Sequence, residues 1–119
     1  MSALDTLIEA VEAGSVRNGV PGLKAFEDMA RAFLDLPSSN AAFRACHGSL
    51  DAALALHESL LPGWHWQHGF AVGGHGSHAA TVWLPHMEDA QWKVHFAVSE
   101  TPARAWLLAI LRAYRSVQA

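Results

Sequence analysis

Between Ser49 and Trp66 the chain reads SLDAALALHESLLPGWHW, and this stretch leaves few folds open. Projected at about 100° per residue, Leu50, Ala53, Leu54, His57, Leu60 and Leu61 share one helical face. Asp51, Ala55, Glu58 and Ser59 share the other. Gly48 and Ser49 open the helix, and Asp51 suits the positive end of its dipole. Pro62-Gly63 stops it, because proline lacks the amide donor and glycine tolerates a reversal. Trp64 then begins an aromatic, strand-like run to about Val72. A core helix that turns directly into a strand requires a sheet to join and a second layer to bury its face.

The flanking segments supply both. Ser2 to Ala13 predicts a first helix, with Leu4, Leu7, Ile8 and Val11 on one side and Gly14 at its end. Gly14 to Gly22 is a loop. Leu23 to Leu36 reads as a second helix, with Leu23, Phe26, Ala30 and Phe33 on one face and Pro37 ending it. Asn40 caps one or two turns through Cys46. Gly73 to Ser77 is a glycine-rich loop, Ala79 to Leu84 a short strand, and Pro85 to Ala90 a turn. Trp92, Val94, Phe96 and Val98 alternate with Lys93, His95 and Ala97, a period-two signal that puts Trp92 inward. Thr101 caps a last helix that has Pro102 at its first position and runs to about Val117. Its apolar face is Ala103, Leu107, Ile110, Tyr114 and Val117. Arg104, Leu108, Arg112 and Arg115 lie on the opposite side.

The expected fold class is therefore α+β: a helix, a three-stranded antiparallel meander and a helix in layers, preceded by an N-terminal helical segment. The 119 residues suit a single domain, with residues 1–47 as the helical segment and 48–119 as the α-β-β-β-α core. Hydrophobic residues at 51% and charged residues at 16% exclude a disordered chain. The low charge leaves apolar surface to be covered, which fits a protein partner or a homo-oligomer. A formal charge of −3 is too small to imply nucleic acid or a membrane by field alone. A lone cysteine, Cys46, fits a reducing bacterial cytoplasm. Asp5, Glu9 and Glu12 near the start predict no signal peptide, and the apolar run Ala105 to Leu111 is too short to span a bilayer.

From Ser49 onward the chain resembles small phage and prophage proteins carrying a phage ABA-sandwich domain. The resemblance rests on Asp51 to Leu56 (DAALAL), Leu61 to Trp64 (LPGW) and Thr101 to Ala113 (TPARAWLLAILRA), with LDTLIEAVEAGS at the opening. It covers about two-thirds of the chain and departs from the family over Val16 to Ala45. It implies an α-β-β-α layered fold and a phage, prophage or gene-transfer origin. It carries no catalytic residue.

Eight histidines invite a metal reading. His65-x-x-His68 and His75-x-x-His78 have a paired spacing, and neutral imidazole binds zinc. On a regular strand, however, His65 and His68 point to opposite faces. Solvent-exposed loop histidines are the plainer expectation, with no metal and no cofactor assigned. His57, mid-face on its helix, reads as a neutral core residue with one hydrogen bond. Ser59 faces away from it, and Cys46 beside His47 lacks the geometry of a thiolate–imidazole pair. With no G-x-S-x-G, P-loop or H-E-x-x-H pattern, no enzyme is expected.

Five tryptophans read as sheet core and helix contacts, and any left outside favours a protein interface. Arg104, Arg112 and Arg115, with Trp83, form the candidate interaction surface. The leading expectation is a non-enzymatic phage or prophage accessory protein that binds protein, an inhibitor of a host defence complex (anti-CRISPR-like) being one form. The alternatives are a small metal-dependent or histidine-based enzyme and, through the arginines, a nucleic-acid-binding module.

Overall fold

A computed structural model describes residues 3–12, 39–46, 48–70, 78–85 and 94–118. Its elements are α1 (Ala3–Glu12), α2 (Ser39–Cys46), α3 (Leu50–Leu60), β1 (His65–Phe70), β2 (His78–Trp83), β3 (Val94–Ser99) and α4 (Pro102–Gln118). The layout is α+β, with helices packed on a sheet of order β1-β2-β3 and antiparallel pairing throughout. The expected helix over Leu23 to Leu36, the loop Gly73 to Ser77, Trp92 and His75 lie outside the described residues.

Local chemistry sets the joints. Gly48 N–H donates to Ala45 O and Ser49 N–H to Arg44 O, both at 3.0 Å, with Gly48 at φ 102°. This pair of hydrogen bonds around a left-handed glycine closes α2. Ser49 immediately caps α3, its hydroxyl accepting from Ala52 N–H at 3.1 Å. Gly63 at φ 85° supplies the reversal after α3, in a conformation that side-chain-bearing residues avoid. Thr101 caps α4, its hydroxyl accepting from Arg104 N–H at 3.1 Å.

The core sits between the sheet and α4. That helix is buried along nearly its whole length from Ala103 to Ala113, on every side rather than on one stripe. Its partners are β2 and β3 on one side and α1, α2 and α3 around the rest. An all-round apolar helix belongs in an interior. Leu108, expected on the solvent side, is therefore buried with Leu107, Ile110 and Leu111, whereas Val117 at the far end is exposed. On α3 the buried set is Ala52, Ala53, Leu56, His57 and Leu60, and Leu50 is exposed. The helix is rotated so that Leu56 rather than Leu50 faces the core.

The sheet corrects a second expectation. The register Trp66↔Val82↔His95 and His68↔Ala80↔Ala97 puts these residues on the inner face with Phe70 and His78. Ala80, Val82 and Ala97 are buried there. Val94, Phe96 and Val98, the period-two companions of Trp92, stand on the outer face and are exposed. Small residues face inward because α4 lies close over β2 and β3 and fills the space with its own large side chains.

Candidate functional site

The register lays the outer face out in three rows: His65, Trp83 and Val94; Gln67, Thr81 and Phe96; Gly69, Ala79 and Val98. None of the nine is Asp, Glu, Lys or Arg. Phe96 stands 53% exposed at one side. A shallow groove of about 170 Å³ is lined by Gln67, Gly69, Ala79 and Thr81 of this face and by His68, whose position belongs to the inner face. Gly69 opens it, since a Cβ there would meet nothing within 4 Å. Trp83 is half-buried and packs edge-on against His65, with ring centroids 5.6 Å apart. Of the residues assigned to an interaction surface, Trp83 thus lies on this face.

The three arginines are placed differently. Arg104 is only 5% exposed, and its Nε and Nη2 donate to Cys46 O at 3.3 and 3.0 Å. It fills an orphan carbonyl at the end of α2, where a cation also suits the helix dipole. It is a core residue, not part of a solvated stripe. Arg112 donates to Phe96 O at 2.6 Å and pairs with Glu12 at 3.0 Å. Arg115 pairs with Asp5 at 3.1 Å. Each guanidinium is engaged inside the molecule, so the three do not form one free basic patch.

On the inner side, His57 is 1% exposed and makes two hydrogen bonds rather than one. Trp106 Nε1 donates to its Nδ1 at 3.1 Å, and its Nε2 meets Trp64 O at 2.9 Å. Indole N–H can only donate and a carbonyl can only accept. The ring is therefore the neutral Nε2–H tautomer, both nitrogens occupied. Burial pushes its pKa below the ordinary value, only partly offset by the Trp64 carbonyl. Trp106 is the hub of an aromatic cluster: Trp66 stacks on it at 5.1 Å, His68 meets it edge-on at 4.7 Å, and His57 lies at 5.7 Å. Desolvation, then the neighbouring His78, lowers the His68 pKa. The sequence marked Trp106 only as one of five tryptophans, and the outer-face role of Phe96 was hidden by reading its alternation as core.

Burial pushes the Cys46 thiol up, against the pull of Arg104, so its nucleophilic thiolate is scarce. The unbroken register puts His65 on the outer face and His68 on the inner. Among the described residues, no group of three His, Cys, Asp or Glu side chains comes together as a metal site. No described helix is long and apolar enough to cross a membrane. No family model matches this chain, nor does any curated protein or solved structure.

Proposed function

We propose that this is a non-enzymatic accessory protein of phage or prophage origin that works by binding a protein through its outer sheet face. Inhibition of a host defence complex is one form of this reading, a virion component the other. The observation that carries the reading is that face: nine positions without a formal charge, with Val94, Phe96 and Val98 exposed beside Trp83. Contiguous apolar surface of this kind marks interaction sites. The resemblance to phage ABA-sandwich proteins supports the origin.

The partner is a protein presenting an apolar helix. Strands of six residues run about 20 Å, and three strands span roughly 10 Å between their outer axes. A helix of three to four turns is about 20 Å long and 10–12 Å wide, so one helix fits that footprint. The uncharged face demands that the helix stripe meeting it also be uncharged, since a buried lone charge is expensive.

The test is affinity purification from the bacterial host with a photo-cross-linker at Thr81, using the wild-type chain and Phe96→Glu. The wild-type chain should recover one stoichiometric protein, cross-linked through a helix. Phe96→Glu should lose it while keeping its thermal midpoint. Undiminished recovery by Phe96→Glu would sink the reading.

A further inference from the structure

The two edges of the sheet are treated differently. Beside β3, Arg112 takes the Phe96 carbonyl and is itself held by Glu12 of α1, so a charged pair guards that strand. Among the described residues, strand β1 has no such guard. All six of its residues are exposed, Phe70 to 77%, and no described strand pairs with its outer edge. Its sequence HWQHGF contains no Lys, Asp, Glu or Pro, and its register with β2 runs without a bulge. Those are the usual devices by which an edge strand avoids pairing with another chain.

We infer that β1 is a self-association edge, pairing antiparallel with β1 of a second copy about a twofold axis through Gln67 to make a continuous six-stranded sheet. A twofold perpendicular to the sheet keeps each face continuous, so partners must share a face. Centring on Gln67 satisfies this: Trp66 stands opposite His68 of the other copy, His65 opposite Gly69, and Gln67 opposite itself. The strand is self-complementary in that register. No formal charges oppose each other.

The Trp–His pairing already occurs in this protein. His65 and Trp83 are directly opposed across β1 and β2, with rings edge-to-face at 5.6 Å. His68 meets Trp106 and His57 meets Trp66 in the same T-shaped manner. The Trp66–His68 pair across the axis repeats that geometry twice. Gly69, which has open space above its Cα, admits the His65 ring of the second copy, as aromatic residues cover glycines in paired strands. One strand pair buries little area, which puts the dimer at the weak end of specific interfaces, near micromolar affinity.

The edge shares His65, Gln67 and Gly69 with the outer face invoked above, but dimerisation is read on the purified chain with no partner present, so either inference can fail without the other. Analytical ultracentrifugation of the full chain across the micromolar range should show a monomer–dimer equilibrium. Gln67→Cys should give a covalent dimer with a short bis-maleimide, and the wild-type chain, whose Cys46 is buried, should give none. Gln67→Lys and Gln67→Glu should each weaken dimerisation about fivefold, because like charges then meet at the axis. Their equimolar mixture should give more heterodimer than the statistical half by native mass spectrometry. A wild-type chain that stays monomeric throughout overturns the inference, and so does a dimer showing neither the cross-link nor heterodimer enrichment.

Discussion

Replacing His57 with phenylalanine keeps a ring in the core but removes both of its hydrogen bonds. Trp106 Nε1–H and the Trp64 carbonyl would then be buried without partners. Each orphaned group costs about 1–3 kcal/mol, so the substitution should destabilise by about 2–6 kcal/mol. That is a large part of the 5–15 kcal/mol typical of a whole domain. Urea unfolding followed by tryptophan fluorescence reads this as a lower midpoint at unchanged slope. The pH dependence supplies a second check. The folded ring is neutral with a lowered pKa, so the unfolded chain takes up a proton first as pH falls. The stability is therefore complete above the ordinary histidine value of about 6.5, and is lost below it by up to about 1.4 kcal/mol per pH unit until the folded ring titrates. His68 contributes with the same sign. Between pH 7.5 and 5 the wild-type profile should fall more steeply than that of His57→Phe. A loss under about 0.5 kcal/mol with parallel pH profiles would refute the clamp assigned to His57.

Three further outcomes follow from the same contacts. Arg104→Leu leaves the Cys46 carbonyl uncapped and should lower stability by about 2–3 kcal/mol, whereas Arg115→Ala, which breaks an exposed pair, should stay within about 1 kcal/mol; thermal melts compare the two. Gly63→Ala places a side chain at φ 85°, where space is free but the backbone is strained, and should cost about 1–2 kcal/mol in the same melts. Cys46, buried with a raised pKa, should resist a thiol reagent at neutral pH and react stoichiometrically only in denaturant. Rapid labelling of the native chain would contradict its placement.

What the sequence alone determined was the set of joints and the elements they delimit. Ser49, Pro62-Gly63, Thr101 and Pro102 act through bonds and torsions within a few residues, so α3, β1 and α4 appear with nearly the expected bounds. The antiparallel meander follows from short connections between adjacent strands. Tertiary structure decided which face each element buries. Alternation in β3 separates two faces but does not say which one meets α4. The close approach of that helix admitted Ala97 and excluded Phe96. Arg104 looked like a solvent residue because charge is normally solvated, and only the carbonyl of Cys46, 58 residues away in sequence, gives it a buried partner. His57 was legible as a core histidine, but Trp106 joins it from 49 residues away. The outer face and the β1 edge, with which no described strand pairs, are likewise products of packing. They are the surfaces left over once α4 has chosen its side of the sheet.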